Sequence, residues 1–277
     1  MSHDLRAPVP VPSDARALRN ILDGLYHRFN RFEFIHPDPL EFVHLYRNKL
    51  DREIAGFVAS ALAYGRVGQI LSSVRLVLDR MGPSPHSYLL RTQPAQFQKS
   101  FHSFKHRFTT GSDLAILLTG LRRLILEYGS LESCFMTGFH AENQTILPAL
   151  SEFVQKLETA AGRKLPMFLP SPCGGSACKR LNLFLRWMIR RDNVDPGVWQ
   201  AIPASSLVIP LDTHMHKIAR AMELTVSKQA NIRCAAEITA NFALICPEDP
   251  VRYDFALTRL AMRNDPLPNA CFSGSIG

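Results

Sequence analysis

The sequence predicts an all-α protein, and three observations carry that prediction. Apolar residues recur at the 3.6-residue spacing of an amphipathic helix through most of the chain. Helix start and stop signals stand at the edges of those stretches. Alternation of the kind a half-buried strand needs is scarce, with Ser206-Leu207-Val208-Ile209 the best short candidate. The 277 residues are 46% hydrophobic and 20% charged, a composition far from disorder and sufficient for a sizeable core.

Taken in order, residues 1–14 read as a flexible, Pro- and Ser-containing lead-in, and 15–277 as a single domain of two helical lobes. From Ala15 to Phe29, the residues Leu18, Ile21, Leu22 and Leu25 fall on one face. At the next start Asp38 can cap, Pro39 suits the first helical position and Glu41 completes a capping box. Asp51 to Arg80 reads as two helices, with Ile54, Phe57, Val58, Ala61 and Leu62 on the first and Ile70, Leu71, Val74 and Leu78 on the second. They meet near Ala63-Tyr64-Gly65-Arg66, a junction able to line a cleft. Met81-Gly82-Pro83-Ser84-Pro85 is a stop signal.

Ser100 to Thr110 mixes aromatic and basic residues and reads as a surface connection near a polyanion. Gly111-Ser112-Asp113 starts a very apolar helix that ends at Gly129. Further helices are predicted over Thr145–Thr159 and Ala235–Leu244, and over Pro250–Met262 with Asp249 as cap.

Several function classes are excluded or disfavoured. No uninterrupted apolar run reaches the roughly 18 residues of a membrane span. The N-terminus has no apolar signal core, which predicts a cytoplasmic protein. The six cysteines are scattered without CxxC spacing and read as reduced thiols. A formal charge of +8 permits, without demanding, a polyanionic partner. His214 and His216 lie on opposite sides of a helix and cannot chelate one ion, so no metal or other cofactor is expected.

The chemistry concentrates between Ser171 and Arg220. A helix beginning near Ser176 turns Leu181, Phe184, Leu185 and Met188 to the core and sets Lys179, Asn182, Arg186 and Arg190 on another face. Gly174, Gly175 and Ser176 precede it. Such glycines let backbone amides approach an anion at a helix N-terminus; the same pattern also suits a loop followed by a solvated basic face. Asp212 precedes the helical pattern Thr213–Met222. It can cap that helix, or leave the cap to Thr213 and serve as a half-buried carboxylate beside a developing cation.

Gly175-Ser176-Ala177-Cys178-Lys179-Arg180-Leu181-Asn182 followed by Leu211-Asp212-Thr213-His214 resembles the helix-hairpin-helix DNA glycosylase superfamily, which includes endonuclease III and the 8-oxoguanine glycosylases. The chain is also similar to a conserved bacterial family near that superfamily that carries the same two segments. The resemblance implies a helix-hairpin-helix glycosylase-like fold with a cleft between two lobes, and base-excision repair of double-stranded DNA carrying a damaged base, by a monomer. It implies Lys179 as the Schiff-base lysine of a glycosylase with AP-lyase activity and Asp212 as its catalytic aspartate. Gly174, Gly175, Ser176, Arg180, Arg186 and His214 would contact DNA, and nearby Arg180 or Arg186 would tune Lys179. Tyr64, Gln69, Trp187 and Trp199 are the candidates for the pocket of an extruded base.

Two departures stand out. Ser-Pro-Cys-Gly-Gly-Ser-Ala replaces the usual hairpin sequence, and the stretch from Lys179 to Asp212 is longer than in most of the superfamily. The long connection resembles the archaeal 8-oxoguanine glycosylase type and points to an oxidised purine. The endonuclease III iron–sulfur signature is missing, since only Cys234, Cys246 and Cys271 follow Asp212. The alternative function is a non-catalytic helix-hairpin-helix protein that binds nucleic acid through phosphates.

Overall fold

In the computed structural model, which describes residues 15–263, local sequence signals translate into thirteen helices and one small hairpin. The lead-in, the C-terminal tail and Cys271 lie outside the described residues. The helices are α1 (Ala15–Phe29), α2 (Glu41–His44), α3 (Lys49–Ala61), α4 (Val67–Met81), α5 (Pro85–Arg91), α6 (Pro94–Phe101), α7 (Gly111–Tyr128), α8 (Leu131–Met136), α9 (Leu147–Ala161), α10 (Lys179–Ile189), α11 (Thr213–Ala221), α12 (Ile232–Ile245) and α13 (Asp254–Met262). Strands β1 (Lys105–His106) and β2 (Thr109–Thr110) pair antiparallel. The all-α class holds, and no helix among the described residues is long and apolar enough to cross a membrane.

Side-chain caps set several of the helix starts. The Thr110 hydroxyl and the Asp113 carboxylate form a reciprocal capping box that starts α7. Asn48, Ser84, Ser130 and Asn231 accept first-turn amides at the starts of α3, α5, α8 and α12. At Asp38 the expected capping box does not form. Asp38 accepts the Leu40 amide at 2.9 Å, but Glu41 turns to the His36 ring, and α2 is a single turn. Asp249 caps nothing either: Arg190 holds its carboxylate, and the last helix begins later, at Asp254. The strand candidate at Ser206–Ile209 is a 3-10 turn and a buried extended run whose Ile209 amide goes to the Thr239 hydroxyl at 3.0 Å.

Packing gathers the helices into two sets. In the first, α7 lies against α5, α6, α8 and α9, and α3 packs on α2, α5 and α10. In the second, the N-terminal helix α1 folds back on α12 and α13, and α13 carries α11. A ring cluster ties the first set together: Phe57 of α3 meets Phe184 of α10 at 5.1 Å and Phe153 of α9 at 6.2 Å, and Trp199 meets Phe184 at 5.5 Å. Helices α3 and α10 approach closely because Gly56 has no side chain; a Cβ there would stand 2.9 Å from Met188 Cε.

One buried acid serves this core. Glu53 accepts the Trp199 indole N–H at 2.8 Å and the Leu131 amide at 2.9 Å. Burial pushes its carboxyl up to about 7 from 4.5, against the opposing pull of those donors. Between those two values the folded protein binds the proton that the unfolded chain has released, so stability falls as pH rises. At ~1.4 kcal/mol per pKa unit, the Glu53 contribution to that fall is about 3 kcal/mol. Glu53→Gln removes it, so urea titrations from pH 4.5 to 7 show a flatter stability profile for the variant; parallel profiles would contradict the assignment.

Candidate active site

Helix α10 carries the site, and an unusual entry sets its first residue. The Gly-rich segment folds as a 3-10 turn, Pro172–Gly174, closed by Gly175 at φ 79. The Gly174 and Gly175 amides donate back to the Ser171 and Pro172 carbonyls, and Ser176 bridges to Asn231 ahead of α12. These amides are therefore spent within the turn, and none of the three residues lines the cleft described below. That corrects the expectation of an anion cradle at Gly174 and Gly175, and α10 begins at Lys179 rather than near Ser176.

Cys178 occupies the position before the helix in a left-handed conformation, φ 50, that costs a residue with a side chain energy. Its buried thiol, pushed up to about 12 chiefly by burial, stays protonated and donates to the Pro170 carbonyl at 3.0 Å. Cys178 therefore fixes the turn that aims Lys179 and is no nucleophile.

Lys179 Nζ lies 2.9 Å from Asp212 Oδ2. Asp212 divides its two oxygens: Oδ1 accepts the His214 and Met215 amides at 2.9 Å each, capping α11, while Oδ2 meets the lysine. Capping and charge pairing are thus not alternatives here, and Thr213 is not the cap. Burial raises the Asp212 carboxyl, but the Lys179 charge and the Met215 amide outweigh burial and hold it below the usual carboxylate range.

Both side chains face a cleft of about 370 Å³, lined by residues 37–39, the α3–α4 junction, α10, the start of α11, and α13. That volume lies within the ~300–1,000 Å³ of ordinary small-molecule sites. Tyr64 lines one wall, its hydroxyl donating to the His106 carbonyl at 2.9 Å. The Arg180 guanidinium stacks 4.8 Å from the Tyr64 ring centroid and donates to the Ala61 and Met167 carbonyls. His214 is exposed and lines the mouth. Asp38, read from the sequence only as a cap, and Asp254, which sequence reasoning missed, add two carboxylates to the lining.

Of the remaining predicted residues, only Arg186 reaches the cleft, and it is buried. Trp187 and Trp199 are 0% and 1% exposed, packed in the core, and cannot stack on a base. Gln69 lines a separate surface depression with Ser72 and Arg80. Arg186, expected to touch DNA, is 3% exposed and held by Asp254 and by Asp195 at 3.1 and 3.2 Å. Burial works against its charge, and the two carboxylates outweigh burial, so the guanidinium is held above its ordinary value. It forms part of the cleft floor and leaves no donor fork for a phosphate at the surface. Arg190, one turn on, is enclosed by Asp192, Asp195 and Asp249. Beyond Lys179, the polar stripe that begins on α10 thus points inward. The acids at Asp192 and Asp195, directly after Arg190-Arg191, were the available sequence signal for that arrangement. No cluster of His, Cys, Asp or Glu fit for a metal exists among the described residues.

Residues 38–263 match the family described as "Protein of unknown function (DUF2400)". No curated protein and no solved structure matches the chain.

The shared role of Asp212 has a measurable consequence. Asp212→Ala removes the cap and lowers stability by about 1–2 kcal/mol in urea unfolding. Asp212→Asn keeps an oxygen for both amides and costs less than about 1 kcal/mol, because the half-exposed ion pair it loses contributes little. Equal losses for the two variants would contradict the division of labour between the oxygens.

Proposed function

The chain belongs to the DUF2400 family, and for it we propose a DNA base-excision glycosylase with AP-lyase activity acting through a Schiff base on Lys179. The observation that carries this reading is the Lys179–Asp212 ion pair facing the cleft. The lining carboxylates are matched, Asp212 with Lys179, Asp254 with Arg186 and Asp38 with Arg259, and exposed His214 stands at the edge of the cleft. Both Lys179 and Arg186 in the lining already hold a carboxylate, so the interior favours a group without a fixed negative charge. A group that is neutral, or that becomes cationic as it reacts beside Asp212, suits such a lining. A nucleoside extruded from a duplex has those properties, its phosphates staying outside.

The steps follow from the two side chains. As the glycosidic bond breaks, its electron pair leaves with the base, and the ionised Asp212 stabilises the cationic sugar. The Lys179 ammonium passes one proton to the departing base, and the freed amine bonds to C1′. A second proton moves from that nitrogen to the ring oxygen as the sugar opens, giving an iminium. Loss of a C2′ proton then expels the 3′ phosphate, and water hydrolyses the imine.

An oxidised purine such as 8-oxoguanine is the proposed lesion, on the long connection between Lys179 and Asp212 alone. The reading includes the helix-hairpin-helix glycosylase-like fold, with the departure that a 3-10 turn stands before α10. It also places the protein with the chromosome in the cytoplasm.

Borohydride tests the chemistry. Incubation with abasic or 8-oxoguanine duplex and reductant yields a covalent protein–DNA adduct; Lys179→Gln abolishes it, and Asp212→Asn slows it by roughly 10²-fold or more. Absence of an adduct across a panel of damaged bases would overturn the lyase reading.

A further inference from the structure

The hairpin of β1 and β2 is built like a mounted probe. Its base is fixed: His106 and Thr109 are 0% and 1% exposed, and the Tyr64 hydroxyl ties both to the cleft wall. The His106 ring donates from Nε2 to the Tyr64 carbonyl at 3.0 Å and accepts at Nδ1 from the Ser73 hydroxyl at 2.8 Å. Burial lowers the His106 pKa, which suits that neutral form.

Its tip is the reverse. Phe108 is 73% exposed, and the Arg107 guanidinium lies 5.5 Å from its ring centroid. Arg107 takes the left-handed conformation at φ 54, and its side chain crosses Gly65, where a Cβ would stand 2.7 Å from Arg107 Cδ. Strain at Arg107 and bare apolar area at Phe108 find no return inside the fold. Arg66, Lys105 and Arg107 are all exposed on and beside the hairpin, and the acid bonded to its far end, Asp113, is already held by Thr110 and Arg163.

We propose that this tip is an interaction surface for unpaired DNA, with Phe108 stacking on a base exposed beside the cleft mouth and Arg66, Lys105 and Arg107 holding the flanking phosphates. The proposal rests on the DNA reading of the cleft and names where the strand is gripped. An exposed aromatic among exposed cations fits a base between phosphates, since every base offers a π-face and stacking tolerates any sequence.

The test is equilibrium binding of the full chain to a fluorescent single strand and to a duplex with one unpaired base, without reductant. Phe108→Ala weakens both by about tenfold or more and leaves the salt dependence unchanged. Arg107→Ala reduces the salt slope on the single strand by roughly 0.7. Phe108→Trp restores affinity, and its emission changes on binding. Because Phe108 is so exposed, Phe108→Ala leaves thermal unfolding essentially unaltered, which separates lost binding from lost folding. Wild-type affinity of Phe108→Ala for both DNAs, or a chain that binds neither, overturns the proposal. DNA binding lost with Phe108 but without a borohydride adduct would sink the Lys179 chemistry and leave this surface standing. An adduct with Phe108→Ala binding as wild type would do the opposite.

Discussion

The buried charge on α10 is the constraint on which the site depends. Two arginines one turn apart, Arg186 and Arg190, enter the interior of the protein, where an unpaired charge is costly. They are tolerated because Asp192, Asp195, Asp249 and Asp254 close around them from the returning loop, the segment before α13, and α13 itself. Such a network contributes little net stability compared with apolar packing, but it accepts one geometry. Helix α10 cannot rotate or slide without stranding a charge. Lys179, at the head of that helix, is thereby held against the start of α11.

The same network shapes the cleft's electrostatics. Asp254 pairs with Arg186 and also lines the cleft, so the floor consists of matched charges. Asp38 is held in the same way by Arg259, which stacks 4.7 Å from the Phe255 ring centroid. Against this fixed background Lys179 and Asp212 are distinct: they are half-exposed, paired chiefly with each other, and supported by Cys178 on one side and by the α11 cap on the other. Rigid support beneath a pair of accessible opposite charges is what preorganised electrostatic catalysis requires.

How much of this was legible in the sequence differs by the range of the interaction. Helices α1, α3, α4 and α7 could be read because a 3.6-residue stripe and a cap are local properties. The N-cap at Asp212 was legible for the same reason, and Lys179 through its motif. Arg186 and Arg190 were read as a basic outer face because periodicity records that a residue is charged, not what it meets; Asp249 and Asp254 lie far along the chain. Trp187 and Trp199 misled similarly, since an aromatic suits a core and a pocket equally well. The hairpin escaped notice because two-residue strands show no alternation, and its role depends on contacts with Tyr64 and Ser73.

The central claim is that Lys179 and Asp212 act together on a sugar carbon. The most direct measurement is a crystal structure of the wild-type protein reduced onto an abasic duplex. The account requires a single bond from Lys179 Nζ to the former C1′, the Asp212 carboxylate beside that carbon, and Asp212 still capping α11. An adduct on another lysine, or DNA seated on a face away from the cleft, would contradict it.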